Sequence, residues 1–397
     1  MIKNTKILWL VPKCTIPATD GAKVATESLL ASVVSLGATV DLACMTNEGN
    51  IAPEDVLKSK LGIEKLYLFQ RGKTRVGMIY RFFKEPFMPL TMNSFSDKKA
   101  KNFIKECIVN KKYDVIVMDG LHLCAPFLFK NEIVIPKNTK IVYRAHNVEH
   151  QLWSEGAKKT KNPIKKLVLH WQGQLVRQIE MKVAKFCDVI APISNEDTLI
   201  ISEFTNKKKI IHTPLGLKFK KIKTYESKGL KEFLFIGKLD WQPNRQGLEW
   251  FLKSVWPKVD HEKCILHICG SGDSKWIQKY VSMSGIEFHG FVQDVDFLYA
   301  KVDACIAPIF FGSGTRIKVL EPYTKNRVVI TTEMGAQGSD LVAGEDFIQA
   351  NKQEEWIDAI ENFSKHQAES MVNSACNKLF ERLDQRRVAY DFCRSFL

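Results

Sequence analysis

Short apolar runs of strand length alternate with helix-length stretches through the first half of the chain. The run Thr5–Val11 is followed by a predicted helix from about Lys23 to Leu36. Further strands are predicted at Ala38–Cys44, Lys65–Phe69, Tyr113–Met118, Lys140–Arg144 and Asp188–Ile193. The repeated order of strand, helix and strand predicts a doubly wound α/β sheet.

The same pattern starts again in the second half, after a lysine-rich segment that ends at Gly229 and is predicted to be a linker. A second α/β unit begins at Glu232–Trp241 and continues into a helix that runs to about Pro257. Its later strands are predicted at Cys264–Cys269, Ile286–His289, Ala304–Ala307 and Arg327–Thr332. We therefore predict two Rossmann-like domains, residues 1–215 and 216–379. The sequence pattern from Met371 to Leu397 predicts a helical tail.

The stretch Phe311–Glu321, F-G-S-G-T-R-I-K-V-L-E, has the pattern of a phosphate-binding loop that opens a helix. It follows the apolar run Ala304–Pro308, and its glycines allow a tight turn with exposed amides. A helix start offers unpaired N–H groups and partial positive charge to an anion, and Thr315 is expected to cap this one. The candidate donor-binding residues here are Gly312, Ser313, Gly314, Thr315, Arg316, Lys318 and Glu321, the last to accept hydrogen bonds from sugar hydroxyls. An ordinary glycine turn before a solvated helix explains the local pattern about as well.

A further glycine loop, Gly335–Gly338, follows the next apolar strand. Glycine loops at the ends of successive parallel strands favour a ligand site, because such sheets bind ligands there. Gly237 also ends a predicted strand, with Lys238 beside it and Arg245 at the start of the next helix. Both cations could reach a diphosphate.

The first half has its own candidate site in R-A-H-N-V-E-H, Arg144 to His150, at the end of a predicted strand. His146 could touch the reacting group, and Glu149 could steady that group or the loop. A lone histidine is more often structural. Gly21, in the first strand-to-helix loop, could let the backbone approach a ligand, although a plain turn glycine fits equally well.

Charge is distributed unevenly between the two halves. The net charge is +14, and residues 1–215 hold 33 basic and 20 acidic residues against 25 and 24 in residues 216–397. The excess predicts a polyanionic partner or an anionic surface for the first half. Basic and aromatic residues mix in Arg75–Met88, which suits a membrane surface or an ordinary core helix with cations at its edge. A second basic stretch, Lys158–Lys166, precedes a long helix predicted to reach about Phe186.

Several other classes of protein are disfavoured. Ten cysteines occur singly without a CxxC or a Cys/His zinc spacing, which indicates reduced thiols in the cytoplasm. No signal peptide or membrane-length apolar run is evident. Cys269-Gly270-Ser271-Gly272 begins like a dinucleotide fingerprint, but Lys275 stands where the third glycine belongs. Asp294 in D-V-D is expected to cap a helix rather than to bind a metal.

Taken together, these motifs resemble glycosyltransferase family four, the large retaining group with the GT-B fold, over essentially the whole chain. The S-G-T-R-I-K-x-L-E form is similar to one branch of that family. The resemblance implies two Rossmann-like domains facing a cleft, with the second binding a nucleotide-sugar. It also implies that the C-terminal helix, about 380–397, packs back on the first domain.

The resemblance assigns roles residue by residue. Gly237-Lys238-Leu239 matches the family's G-R-L phosphate loop, with lysine for arginine, and Arg245 is the cation nearest to the expected later lysine. The family's signature has two glutamates separated by seven residues. This chain has only the second of them, Glu321, and the resemblance implies that Glu321 contacts the ribose. Ser313 occupies the first position, so backbone amides or another group must contact the transferred sugar. His146-Asn147-Val148-Glu149 matches the branch's histidine motif, and Gly21 its N-terminal loop.

The implied reaction transfers a sugar from UDP, GDP or a related carrier to a hydroxyl with retention of configuration. Lys238, Arg245, Lys318 and loop amides would meet the leaving-group charge, so neither a cofactor nor a metal is expected. His146 would hydrogen-bond the sugar or a phosphate oxygen, and Glu149 is counted with it as a catalytic residue. The expected acceptor is a glycan or a lipid-linked precursor of surface polysaccharide, reached from the cytoplasm with a peripheral contact to anionic membrane.

Three other functions remain open. A nucleotide-sugar epimerase or a phosphorylase can share the GT-B layout. A non-catalytic basic binding protein that binds nucleic acid would explain the charge of the first half but not the glycine loops of the second, and a non-catalytic sugar-binding module would bind UDP or GDP without turning a nucleotide-sugar over. No specific nucleic-acid partner is expected.

Overall fold

The computed structural model describes most of the chain in two compact units. The described residues are 2–16, 21–46, 52–70, 87–92, 95, 98–109, 112–128, 133–205, 209–220, 229–311 and 316–397. Unit 1 comprises Met1–Gly216 together with Gln385–Leu397, and unit 2 comprises Leu217–Asp384. The last helix of the chain therefore belongs to the first unit.

Each unit contains a six-stranded parallel sheet. In unit 1 the order is β3-β2-β1-β4-β5-β6, and in unit 2 it is β12-β11-β10-β7-β8-β9. Both orders are the doubly wound arrangement, in which the direction of winding reverses once: between β1 and β4, and between β7 and β10. The strands are β1 Lys6–Val11, β2 Thr39–Thr46, β3 Lys65–Gln70, β4 Val115–Asp119, β5 Lys140–Ala145, β6 Val189–Pro192, β7 Lys231–Ile236, β8 Cys264–Cys269, β9 Ile286–Gly290, β10 Ala304–Ala307, β11 Val328–Thr331 and β12 Ile348–Gln349.

Helices connect these strands. They are α1 Gly21–Ser35, α2 Glu54–Leu61, α3 Lys98–Val109, α4 Ala125–Leu128, α5 Glu149–Lys159, α6 Pro163–Phe186, α7 Asn195–Ser202, α8 Gln242–Trp250, α9 Asp296–Lys301, α10 Ile317–Leu320, α11 Glu333–Ala336, α12 Gln353–Glu361, α13 Lys365–Leu383 and α14 Gln385–Arg394. Within the described ranges, no helix combines the length and the apolar character that a bilayer crossing requires.

The core of unit 1 shows why its strands were visible in the sequence. Residues 7–11 of β1 are buried, because helices cover both faces of a parallel sheet. Trp9 lies opposite Leu42 of β2 and Val117 of β4. Helix α14 packs onto this core through Phe392, whose ring centre lies 5.8 Å from that of Trp9.

The predicted fold class is confirmed, with differences at element ends. The helix predicted to reach about Pro257 changes after α8 into a π-helical turn, Phe251–Val255, and a 3-10 turn. The short strand β12 was not predicted. Helix α10 has only four residues and is followed by a 3-10 turn, because Pro322 has no N–H with which to continue the α-helical bonds.

Some predicted features lie outside the described residues. They include Gly312, Ser313, Gly314 and Thr315 of the phosphate-binding loop, and residues 75–86 of the first basic stretch. The prediction that Thr315 caps the following helix falls on one of these residues and stays a prediction; the described helix α10 has Arg316 at its N-cap position, without a side-chain cap. So short a helix also contributes less macrodipole to an anion than the sequence pattern indicated.

Candidate active site

The candidate residues fall in two groups, one at the reversal point of each sheet. In unit 1, β4 ends at Asp119, β5 ends just before His146, and α1 begins at Gly21. In unit 2, β7 ends just before Gly237, and β10 leads towards Arg316. The carboxyl ends of strands at such reversal points form the usual ligand crevice of a doubly wound sheet.

A fully buried arginine organises the site of unit 1. Arg144 Nη1 donates hydrogen bonds to both carboxylate oxygens of Asp119, at 3.2 and 3.3 Å, and to Thr26 Oγ1 at 3.1 Å. Its Nη2 donates to the carbonyl of Ala25 at 3.2 Å. Arg144 therefore ties the first turns of α1, at Ala25 and Thr26, to the ends of β4 and β5.

Asp119 joins this arginine to the candidate histidine. Its Oδ2 accepts a hydrogen bond from Trp9 Nε1 at 2.9 Å, and its Oδ1 contacts His146 Nε2. Burial alone would raise the pKa of Asp119, but the Arg144 guanidinium and His146 hold it well below its usual range. An ionised Asp119 assigns the proton of His146 to Nε2. The other nitrogen, Nδ1, is buried and has no hydrogen-bond partner within the described ranges.

Glu149 lies in the first turn of α5, in a cluster of acids rather than against His146. Burial, Glu180 and Asp197 raise its pKa to about 7. Glu180 is itself engaged by His150 Nδ1 at 2.5 Å, and Asp197 accepts the amide of Val148 at 3.3 Å. The cluster fixes the loop that carries His146, which supports the loop-steadying alternative for Glu149.

Three residues of unit 2 meet at the end of β7. Lys318 Nζ donates to Asn244 Oδ1 at 3.0 Å, and Asn244 Nδ2 donates to the carbonyl of Lys238 at 2.9 Å. A Cβ on Gly237 would lie 2.6 Å from Asn244 Nδ2 and 3.3 Å from Lys318 Nζ. Position 237 therefore requires glycine so that the amide of Asn244 and the ammonium of Lys318 can approach the loop.

The ammonium of Lys318 packs against an aromatic side chain. It lies 3.9 Å above the ring centre of Phe235, and no carboxylate pairs with it within the part of the chain that the structure describes. Burial lowers the pKa of Lys318 from 10.5 to about 7. A ligand with negative charge would supply a counterion for this ammonium.

Glu321 lines the same small cavity as Lys318, beside Leu234 and Ile236 of β7. Burial raises the pKa of the Glu321 carboxyl. Among the described residues it makes no hydrogen bond or ion pair through its side chain. Its oxygens are therefore available to hydroxyl donors of a ligand.

Arg316 has a different position from the one predicted. Its side chain turns to the glycine loop after β11, where Nη1 donates to the carbonyl of Gln337 at 3.1 Å and Nη2 approaches Met334 Sδ at 3.5 Å. Thr332 begins that loop and accepts the amide of Gly335 at 2.9 Å. Arg316 thus joins two glycine loops, a positioning role that the sequence pattern did not distinguish from direct contact.

Lys238 and Arg245 lie at the outer side of this site. The Lys238 side chain is 54% exposed, and its ammonium lies 3.6 Å from Asp240 Oδ1. The Arg245 guanidinium stacks 5.6 Å from the centre of the Trp276 ring, whose Nε1 donates to the carbonyl of Leu239 at 3.0 Å. Exposure leaves both cations free to turn towards an anion, in contrast to Lys318.

Two important residues were missed by sequence reasoning. Asp119 was missed because the predicted strand stopped one residue short, although an acid before Gly120 at a strand end was a usable signal. Asn244 stands in P-N-R-Q-G, where only the adjacent Arg245 was predicted to bind a ligand. The structure brings Gly237 together with Lys318, and Lys318 with Glu321, within unit 2; His146 belongs to the group in unit 1.

The comparisons with known proteins agree with this architecture. Residues 231–366 match the family model described as Glycosyl transferases group 1. A Klebsiella pneumoniae protein described as "Uncharacterized 44.6 kDa protein in cps region" is 24% identical, over 96% of this chain and 97% of that one.

Solved structures share the fold at low sequence identity. A point mutant of S. aureus TarM, solved with Fondaparinux, alpha-GlcNAc-glycerol and UDP, has a TM-score of 0.67 at 12% identity and covers 99% of each chain. Anabaena Alr3699/HepE, solved with UDP and glucose, has a TM-score of 0.64 at 12% identity and also covers 99% of each chain. The two doubly wound sheets therefore have the GT-B fold, and the family match within unit 2 supports a glycosyltransferase.

Proposed function

We propose that this protein is a retaining glycosyltransferase that moves a sugar from a nucleoside diphosphate carrier to a hydroxyl of a glycan or lipid-linked acceptor. The observation that carries the proposal is the Gly237, Asn244 and Lys318 group at the reversal point of the second sheet. An ammonium that lies over an aromatic ring, with no carboxylate partner among the described residues, is suited to a pyrophosphate.

The residues of unit 2 would divide the work on the donor. Lys318 would meet the pyrophosphate from inside the site, and the exposed Lys238 and Arg245 would reach it from outside. Aimed charges of this kind are each worth roughly 3 kcal/mol of transition-state stabilisation in other enzymes. Glu321 would accept hydrogen bonds from the ribose hydroxyls. These residues give the leaving diphosphate its counter-charge without a metal.

His146 would act on the transferred sugar. With its Nε2 proton directed at Asp119, its Nδ1 can accept a hydrogen bond from a sugar hydroxyl. The acceptor hydroxyl attacks the anomeric carbon as the bond to the diphosphate oxygen breaks, on the same face. The departing phosphate takes the hydroxyl proton, so the reaction needs no separate general base.

The first experiment is a thermal-shift screen of nucleoside diphosphates, followed by product analysis with a radiolabelled donor. We expect one nucleoside diphosphate to raise the melting temperature and its labelled sugar to appear on an acceptor. Lys318→Met should reduce both responses. Interconversion of the nucleotide-sugar without an acceptor product would indicate an epimerase, and phosphate-dependent cleavage a phosphorylase. No shift with any nucleotide would contradict the proposal.

Unit 1 also presents a surface that suits anionic membrane. Helices α5 and α6 form a hairpin, and its tip, residues 158–168, exposes Ile164 at 75% and Leu167 at 71%. Five lysines surround these side chains: Lys158, Lys159, Lys161, Lys165 and Lys166. Exposed apolar residues among lysines favour binding at a lipid surface, where each cation contributes about 1 kcal/mol. We infer that the tip brings the enzyme to a lipid-linked acceptor at the cytoplasmic face.

Vesicle sedimentation tests the hairpin tip. Binding to vesicles with anionic lipid should exceed binding to neutral vesicles and should weaken at high salt. Charge reversal at Lys165 and Lys166 should reduce it, whereas reversal at Lys182 and Lys185, exposed near the other end of α6, should not. Equal sedimentation of the two double variants would exclude the tip as the contact.

A further inference from the structure

A second polar cluster lies within the sheet of unit 2, on three adjacent strands. Glu232 comes from β7, His267 from β8, and Glu287 and His289 from β9. His267 pairs in register with Leu234 and Glu287, and side chains two residues apart share a face of a sheet. All four side chains therefore project from one face.

Three ligand-type atoms face one another in this cluster. His267 Nδ1 lies 3.0 Å from His289 Nε2 and 3.2 Å from Glu287 Oε2, and the latter two atoms are 3.9 Å apart. Zinc binds histidine and carboxylate ligands at about 2.0–2.2 Å, so tetrahedral ligand atoms lie about 3.3–3.6 Å from each other. The observed spacings bracket that range.

The remaining nitrogen of His267 is already oriented. Its Nε2 lies 2.8 Å from Glu232 Oε2, and the imidazole is completely buried. A hydrogen bond from Nε2–H to this carboxylate fixes the tautomer and leaves a lone pair on Nδ1. A histidine that ligates a metal through one nitrogen commonly donates its other N–H to a carboxylate in this way.

That tautomer leaves an electrostatic problem that a cation resolves. The Nδ1 lone pair of His267 and the Glu287 carboxylate are both acceptors, so their 3.2 Å contact is repulsive without a positive charge between them. The Lys301 ammonium pairs with both carboxylates, 3.4 Å from Glu287 Oε2 and 3.5 Å from Glu232 Oε2. It neutralises part of the carboxylate charge but does not separate the facing acceptors.

We propose that His267 Nδ1, His289 Nε2 and Glu287 Oε2 bind one divalent metal ion of the zinc class. His289 binds as the Nδ1–H tautomer, and water takes the fourth position. The ion can enter because the Glu287 side chain is 45% exposed and that of His289 is 24% exposed. The metal joins edge strand β9 to β8, and the end of β8 supports the donor loop through the bond from Gly237 N to Cys269 O at 3.1 Å.

Zinc titration of tag-free protein, dialysed against a chelator, tests the site directly. Calorimetry should show one zinc ion per chain, and cobalt(II) should give the visible bands of a tetrahedral N/O site. Glu287→Gln and His289→Ala should each weaken zinc binding about tenfold or more, because each removes a ligand. Both side chains are partly exposed, so the variants are expected to fold, as circular dichroism can check.

Two further variants sharpen the test. Lys301→Gln should tighten zinc binding, because it removes a positive charge beside the ion. His366→Ala, on an exposed histidine of α13, should bind zinc as the wild type does. Absence of zinc binding in the wild type would show that a doubly protonated His267, bonded to both carboxylates, accounts for the cluster. Unchanged binding in His289→Ala would place the zinc elsewhere, and either result overturns the proposal.

Discussion

Lys318 should take up a proton when a nucleoside diphosphate binds. Burial lowers its pKa to about 7, so at pH 8 only about 10% of the free protein carries the charge. A bound pyrophosphate returns the pKa towards 10.5, because it supplies the missing counter-charge. The expected uptake is therefore about 0.9 proton per nucleotide at pH 8 and about 0.5 at pH 7.

The same linkage makes affinity depend on pH. Above pH 7 the dissociation constant should rise about tenfold per pH unit, or about 1.4 kcal/mol, for as long as the complex remains protonated. The terminal phosphate of the nucleotide titrates near pH 6. Measurements from pH 7.5 to 9 therefore isolate the contribution of the lysine.

Calorimetry in two buffers with different heats of ionisation measures the proton count. Lys318→Met should bind more weakly and take up no proton. Lys238→Met is the matched control: the Lys238 side chain is 54% exposed, so the variant should lose affinity yet keep the proton uptake. Binding by the wild type without proton uptake, or uptake that persists in Lys318→Met, would refute the placement of the ammonium.

The stability of the free protein should rise with pH above pH 7, whereas its affinity for the nucleotide falls. The pKa of Lys318 is lower in the folded than in the unfolded chain, so the unfolded chain binds more protons between pH 7 and 10.5. The destabilisation is complete below about pH 7, amounts to about 5 kcal/mol as an upper value, and disappears as the pH approaches 10.5. Urea unfolding of Lys318→Met should lack this rise in stability with pH.

Other substitutions test the remaining parts of the site. Because burial raises the pKa of Glu149 to about 7, its ionisation lowers wild-type stability as pH rises from 4.5 to 7. The unfolding free energy of Glu149→Gln, measured against the wild type, should therefore be up to about 3 kcal/mol more favourable at pH 8 than at pH 4. Parallel curves of stability against pH for the two proteins would contradict this. Asp119→Asn leaves a buried guanidinium unpaired and should cost about 3–5 kcal/mol in urea unfolding, whereas the exposed control Glu54→Gln should cost under about 0.5 kcal/mol; equal losses would disprove the buried pairing. Gly237→Ala places a Cβ 2.6 Å from Asn244 Nδ2 and should weaken nucleotide binding about tenfold by calorimetry, with unchanged affinity as the opposing result.

The strands could be predicted from the sequence because the strands of a parallel sheet are buried on both faces. Helices cover both faces of such a sheet, so β1, β4 and β10 are nearly continuous apolar runs that no surface element would tolerate. The glycine loops were visible for a related reason, since a turn against a neighbouring backbone excludes Cβ. Gly270, in the loop after β8, would place a Cβ 1.9 Å from the carbonyl oxygen of Gly237. Backbone constraints of this kind are local enough to leave a signature.

The state of the charged groups was not predictable, because it depends on partners far away in sequence. Lys318 appeared to be a surface cation of a helix start, and its low pKa comes from burial beside Phe235, a residue of another strand. Arg316, two residues earlier, belongs instead to the loop that ends at Gly338. The cluster of His267 and His289 escaped notice because its ligands come from two strands rather than from one compact motif.

The two reversal points differ in how their charges are compensated, and this difference bears on the reaction. In unit 1, the Asp119 carboxylate pairs with both Arg144 and His146, so the buried charges of that group are compensated within it. In unit 2, Lys318 has no carboxylate partner within the described residues. Sugar transfer from a diphosphate carrier builds negative charge on the leaving group, and a fixed charge aimed at that position lowers the barrier without reorganisation. Under the proposed function, Lys318 would therefore meet the charge of the leaving diphosphate.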